Sequence, residues 1–294
     1  MNYSLLKLFY ATDPGDKFWS KEVNERGADE VLERIEAGNY LSLKRSTSIE
    51  RIQKRLLERS IGSLEEEIGL SGGEFVAKGE ANWPHALNDL ISPPLGIIIK
   101  GLAPRCDSVS LVGTRNPTQY GARVASEFSS GFADRAIEII SGGAYGIDTH
   151  AHRGAIAAEG RTTAVLASGI SVRYPAGNER LFEEILANGS LISEVMPNEK
   201  ARPERFLTRN RLIAALSRAT IVVEAAFRSG SLRTAHDASE LLRVVLAVPG
   251  PITSPSSDGC HRLIGERCAE IVTSVSDAMD FLPLSTCTLC GNDS

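Results

Sequence analysis

The residues best suited to chemistry stand just after predicted strands. Val112-Gly113-Thr114-Arg115-Asn116-Pro117 follows one β-branched run, and Ser141-Gly142-Gly143-Ala144-Tyr145-Gly146-Ile147-Asp148 follows the next and leads straight into a helical pattern. Glycines at a strand-to-helix turn permit close backbone approach, and free N–H groups at a helix start attract phosphate. The alternative is that Gly142, Gly143 and Gly146 only make a tight turn, but Arg115 on the adjacent loop favours an anion site. A later loop, Glu224 to Leu232, offers Ser229, Gly230 and Ser231 as a second candidate phosphate cradle. The other role for Ser231 is plain capping of the helix that carries Thr234.

Residues 200–211 hold Lys200, Arg202, Arg205, Arg209 and Arg211 against Glu204, a local balance of +4. The planar guanidinium fork suits phosphate, and each phosphate neutralised releases counterions. The other reading is a solvated helix start with internal ion pairs. Asp148, His150 and His152 cluster at a helix start, but their spacing puts only Asp148 and His152 on one face, and two ligands do not make a metal site. His152 is read as a packing or tethering residue, Asp148 as a helix-dipole partner, and no catalysis is assigned here. Cys260, Cys268, Cys287 and Cys290 with His261 contain a single C-x-x-C, a weak zinc signal, so no metal is expected.

Those loops need elements to hold them. From about 108 the pattern alternates: strands at Ser108 to Val112, Ile137 to Ser141, Thr162 to Leu166, Leu191 to Val195, Thr220 to Glu224 and Val244 to Val248, with helices over 119–134, 147–158, 179–187, 206–217 and 231–242. Six strands joined by helices predict an α/β, doubly wound, Rossmann-like fold with a mostly parallel sheet. In such sheets ligands bind outside the carboxyl ends of the strands, where the loops above lie. Residues 1–72, rich in Glu, Arg, Lys and Leu at helical spacing, predict a small helical domain that stops at Gly72-Gly73. The main domain then spans 73–283, entered through the proline-punctuated stretch Trp83-Pro84 to Pro93-Pro94, and 284–294 reads as a tail.

At 294 residues and 42% hydrophobic composition the chain can fill a sizeable core. Apolar runs such as Ile97-Ile98-Ile99 fall far short of the roughly 20 residues that span a bilayer, and the N-terminus lacks a secretion-signal layout. A cytoplasmic protein without membrane attachment is expected. Five cysteines predict reduced thiols rather than a disulfide framework. The net charge of −5 exerts no global pull on a polyanion, so nucleic-acid binding requires a local basic patch.

From about 82 to 275 the order and spacing of these pieces resemble the DprA/Smf (DNA-processing protein A) family. The pieces are Val112 to Arg115, Ser141 to Asp148 with Ala151-His152, Tyr174-Pro175 with Asn178, and Phe206 with Arg209-Asn210-Arg211-Leu212-Ile213-Ala214. Val223-Glu224-Ala225 with Ser229-Gly230-Ser231-Leu232, and Ala247-Val248-Pro249-Gly250 with Leu263-Ile264, complete the set. The resemblance implies a non-enzymatic homodimer that binds and protects single-stranded DNA and helps load the RecA recombinase during natural transformation or related DNA uptake. It also implies that the first 72 residues are SAM-like, that Arg115 grips a phosphate, that the Ser141 to Gly146 loop lines the DNA pocket, and that Arg209, Asn210 and Arg211 lie beside it. Stacking of a base on Tyr145 follows from general single-strand recognition.

Three departures stand out. Ala176 replaces a basic residue that many relatives carry after Tyr174-Pro175, leaving Arg173 or Arg180 to supply that charge. Glu240 to Val244 lacks the usual glycine before its arginine. No C-terminal winged-helix domain is expected after residue 294. The chief rival is a Rossmann-like hydrolase of the N-glycosidic bond of nucleoside monophosphates, for which Glu224 is the one obvious acid and lacks a partner. A dinucleotide cofactor is not expected because no G-x-G-x-x-G follows the first strand. A pure protein-binding adaptor is the third reading.

Overall fold

The apolar and Ser/Thr-rich runs become strands because both of their faces can be buried. Every residue of β3 (Ser108–Val112), β4 (Glu138–Ser141), β5 (Thr162–Leu166), β6 (Ser190–Ser193) and β7 (Ala219–Val222) is buried. Their hydroxyls are satisfied internally: Ser108 Oγ donates to the Leu216 carbonyl at the end of a covering helix (2.7 Å), and Thr163 Oγ1 to Glu138 Oε1 within the sheet (2.5 Å). Burial on both faces is the pattern of parallel strands covered by crossover helices. In the computed structural model, which describes residues 2–40 and 46–282, these helices are α6 (Gln119–Ala133), α7 (Ile147–Ala157), α8 (Glu179–Leu186), α9 (Pro203–Leu216) and α10 (Gly230–Glu240).

The first 72 residues form α1 (Tyr3–Ala11), α2 (Lys17–Arg26), α3 (Ala28–Glu36), α4 (Ser46–Glu58) and α5 (Ile61–Ser71), and Gly72 closes α5 in the left-handed region with φ 69°. Then come β1 (Glu74–Val76), β2 (Ile97–Gly101), the elements above, β8 (Val244–Ala247), α11 (Asp258–Gly265), β9 (Glu270–Ile271) and α12 (Val275–Phe281). One sheet results, in the order β1-β2-β6-β5-β4-β3-β7-β8-β9. All ladders are parallel except β1 with β2 and β2 with β6. The doubly wound α/β reading holds, with three strands beyond the six expected.

Ile97 to Ile99, noted in the sequence only as an apolar run, is the antiparallel strand β2, a direction that periodicity alone cannot reveal. Its last residue, Gly101 (φ 97°), approaches β6 so closely that a Cβ would lie 2.3 Å from the Gly189 carbonyl oxygen. From β3 the chain winds outward through β4, β5 and β6, and α9 then carries it back to β7 on the other side of β3. That reversal puts a topological switch point at the carboxyl ends of β3 and β7.

Three apolar clusters fill the molecule. One, under α9 and α10, holds Val112, Leu212, Val222 and Ala235; a second, under α6 and α7, holds Leu111, Phe128, Phe132 and Ile221. The third runs without interruption from the N-terminal helices (Leu6, Trp19, Ile35, Ile52) to Leu166, Phe182 and Leu191 beneath β5 and β6. Among the described residues no helix is long and apolar enough to cross a membrane, and no group of His, Cys, Asp and Glu could hold a metal ion. Cys287, Cys290 and the expected tail lie outside the described residues. Cys260 and Cys268 are free thiols, whereas Cys106 is in a disulfide, which corrects the expectation of reduced thiols at that position.

Candidate functional site

A cleft of about 710 Å3 opens at the switch point. Its walls are the loop after β3 (Gly113, Thr114, Arg115), the first half of α9 (Pro203, Phe206, Arg209, Asn210) and the loop after β7 with the start of α10 (Arg228 to Ser231, Thr234). Arg115 is exposed, and its guanidinium lies 5.1 Å from the Phe206 ring centroid. Phe206 in turn meets the exposed Tyr174 edge-on at 5.6 Å. Among the described residues neither Arg115 nor Arg228 has a carboxylate partner. A cation–π seat orients a guanidinium without neutralising it, so Arg115 remains an uncompensated cation beside aromatic rings, and Arg228 adds a second cation to the cleft wall.

The glycine loop works differently from the expected phosphate cradle. Gly142 N–H and Ala144 N–H donate to Asp148 Oδ2 at 3.1 and 3.3 Å, so the chain's own carboxylate occupies the anion-binding donors. Ser141 Oγ donates to the Leu111 carbonyl at 2.6 Å within the sheet. Gly143 and Gly146 have φ of 66° and 84°. A Cβ on Gly146 would come within 2.3 Å of the Thr114 carbonyl oxygen, so this glycine is what lets the β4 loop support the β3 loop. Tyr145 is exposed at the loop tip, its hydroxyl accepting from Gly177 N–H at 3.1 Å.

Arg209 is buried beneath the loop, and its Nη1 donates to the Gly142 carbonyl at 2.8 Å and to the Val165 carbonyl. Burial lowers its guanidinium to about 10; the Asp148 charge opposes that, and the Arg115 charge adds to it. Burial likewise pushes the Asp148 carboxyl up, against Arg209 and the two loop N–H groups. His152, fully buried, is pushed down to about 3 by burial and by Arg209. Thr162 Oγ1 spends its one hydrogen on the Ile139 carbonyl (2.8 Å), so His152 Nδ1 donates to it at 2.7 Å and Nε2 keeps a lone pair.

The basic segment is therefore mostly structural. Arg205 pairs with Glu199 at 2.9 Å, and Arg211, outside the cleft, clasps Glu194 with Nη2 at 2.5 and 2.7 Å while Nη1 donates to the Ser92 carbonyl at 2.8 Å. Asn210 stays in the cleft wall, Nδ2 donating to the Gly230 carbonyl at 3.2 Å. Ser229 caps α10, its Oγ accepting from Ser231 N–H at 3.4 Å and lying 2.7 Å from Ser231 Oγ. The cap is thus Ser229 rather than Ser231, and both hydroxyls face the cleft.

Of the singled-out residues, Arg115, Arg209, Asn210, Ser229, Gly230 and Ser231 line one cleft. Ser141, Gly142, Gly143 and Gly146 support it from behind, Tyr145 stands at the loop tip, and Arg211 lies elsewhere. The sequence alone marks Tyr174, Phe206 and Arg228 only as motif or loop members. The rule that ligands gather after strand ends pointed to Arg228 as well. Glu224 is buried, with Oε2 accepting from Thr118 N–H (2.9 Å) and Oε1 from Thr118 Oγ1 (2.6 Å) and Ser256 Oγ (3.2 Å).

Fold and cleft together define a doubly wound α/β protein with a cationic, aromatic-lined cleft at its switch point. The sequence profile of the family described as DNA recombination-mediator protein A matches residues 74–283. The chain belongs to this family, the DprA/Smf proteins. It is 32% identical over 270 residues to the DNA processing protein DprA of Bacillus subtilis, covering 91% of this chain and 89% of that protein. A DprA-type protein of Mycobacterium tuberculosis is 42% identical over 244 residues, 78% of this chain, and the match spans 62% of that protein's length. Among solved structures, DprA from Streptococcus pneumoniae superposes with a TM-score of 0.82 at 31% identity, covering 96% of this chain and 98% of that one. The Helicobacter pylori protein, described for its single-stranded DNA binding mode, superposes with a TM-score of 0.64 at 27% identity over 71% of this chain and 96% of its own.

Proposed function

We propose that the switch-point cleft binds single-stranded DNA, and that the protein, acting as a homodimer without catalysis, protects the strand and helps load the RecA recombinase during DNA uptake. The observation that carries this reading is Arg115, an exposed guanidinium seated on Phe206 with Tyr174 alongside and, among the described residues, no acid to neutralise it. Phosphate takes the guanidinium and bases take the rings, a combination that tolerates any sequence. The single-stranded DNA binding described for the Helicobacter pylori relative supports the same reading. Glu224, the candidate acid for glycosidic hydrolysis, has its carboxylate taken up by Thr118 and Ser256, which supports a binding role over a hydrolytic one.

The test is fluorescent oligo-dT binding across a salt series, beside Arg115→Ala and a nucleoside monophosphate hydrolysis assay. Losing a charge-assisted contact of about 1.5–3 kcal/mol weakens binding roughly 10- to 150-fold, and the log–log salt slope shallows by about 0.7. Release of free base without oligonucleotide binding would replace this reading with the hydrolase.

A further inference from the structure

A second groove of about 570 Å3 lies on the other side of the α9 N-terminus from the cleft. Pro203 lines the cleft and Arg202, the preceding residue, lines the groove, so the two cavities are flanked by consecutive residues of the chain. Tyr10 of α1 also lines it, its ring covered by Arg55 at 4.8 Å and Arg59 at 5.6 Å. Although Tyr10 is only 9% exposed, its hydroxyl makes no hydrogen bond among the described residues.

The charges in this groove sort themselves. Glu67 is engaged by Arg59 and by Asn198 N–H at 2.9 Å, and Glu199 by Arg205 at 2.9 Å and Arg55 at 3.6 Å. Lys200 and Arg202 are exposed, and among the described residues they have no carboxylate partner. Of the five basic residues in the 200–211 segment, Arg205, Arg209 and Arg211 are engaged within the fold, which leaves Lys200 and Arg202 for a ligand.

We infer that this groove is a second DNA subsite. A single strand seated in the cleft continues over the start of α9 and lays its next phosphates against Arg202 and Lys200, with Tyr10 presenting a hydroxyl from the floor. The proposal rests on the single-stranded DNA reading above and adds a path and a length to it. Two free cations account for two phosphates, and the groove's positive character ends at the Arg59–Glu67 pair. The N-terminal helices thereby become part of the binding surface.

The experiment is a length series of labelled oligo-dT, from roughly 4 to 16 nucleotides, against the full chain and the Lys200→Ala/Arg202→Ala variant. Among the described residues neither side chain makes a hydrogen bond or an ion pair, and both are exposed. Wild-type affinity should rise in a step once the oligonucleotide outgrows the cleft. The variant should match wild type on the shortest oligonucleotides that bind, lose on the order of tenfold on the long ones, as expected for two solvent-exposed ion pairs, and show a salt slope on those shallower by about 1.4. Equal behaviour of the two proteins at every length, or an equal loss at every length, overturns the path while leaving the cleft in place. Failure of wild type to bind oligo-dT at any length overturns the function proposed for the cleft and the subsite with it.

Discussion

Arg211→Met separates a structural arginine from a DNA-binding one. Arg211 sits opposite Glu194, which is 8% exposed at its side chain and, among the described residues, otherwise bonded only to Gly15 N–H at 3.2 Å. Methionine keeps most of the aliphatic stem, so what disappears is the guanidinium with its two bonds to the carboxylate and one to the Ser92 carbonyl. Breaking a buried pair by removing one partner costs about 3–5 kcal/mol, because the remaining charge stays desolvated. For a chain of this size that lowers Tm by roughly 6–10 °C, with a matching fall in the urea midpoint at unchanged m-value. Burial already pushes the Glu194 carboxyl above its usual range while Arg211 holds it back, and without Arg211 it climbs further. A carboxyl with a raised folded pKa contributes stability below its unfolded value and loses it as pH rises through the folded one. The penalty should therefore be largest on the alkaline side and narrow as pH falls toward the ordinary carboxylate range. Replacing both partners, Arg211→Met with Glu194→Leu, should recover most of the loss. A variant with wild-type stability and weakened oligo-dT binding, or a penalty that grows as pH falls, would refute the reasoning.

Two further substitutions probe the support behind the cleft. Gly146→Ala forces a side chain into φ 84° with its Cβ 2.3 Å from the Thr114 carbonyl oxygen, costing at least about 1–3 kcal/mol and displacing Arg115, so the urea midpoint and oligo-dT affinity should fall together; no change in either would contradict the assignment. His152 remains neutral in the fold down to about 3 while the unfolded chain protonates near 6.5. Its burial thus removes up to about 1.4 kcal/mol of stability per pH unit below that value. His152→Leu should flatten the wild-type decline in urea midpoint under acid, and an identical decline in both proteins would show that the imidazole titrates freely.

The sheet was largely legible in the sequence because fully buried strands read as short β-branched runs, and the six expected ones match within a residue or two. The antiparallel edge was not, since neither run length nor composition gives strand direction. The glycine loop was legible as a turn at a switch point. Its filling was not: Asp148 lies four to six residues beyond the N–H groups it occupies, and only the folded turn brings its carboxylate back onto them. In the basic segment a charge count stood in for geometry. Arg205 and Arg209 share the inward stripe with Leu212, Ile213 and Leu216 at helical spacing, so that periodicity, applied to the charged positions, separates them from Lys200 and Arg202 ahead of the helix.

The Asp148 carboxylate also bears on how quickly a ligand can leave. Where backbone amides of a turn clasp an anion directly, departure strips several fixed dipoles at once, and residence is correspondingly long. Here those amides keep an occupant that never dissociates. A strand held as proposed would rest largely on side chains, Arg115 and Arg228 among them, each able to release independently. Detachment then proceeds contact by contact, with no single large barrier, and since most affinity differences between related complexes reside in the off-rate, this is a grip whose strength can be adjusted one side chain at a time. If the strand is handed to a recombinase as proposed, such a grip eases the transfer.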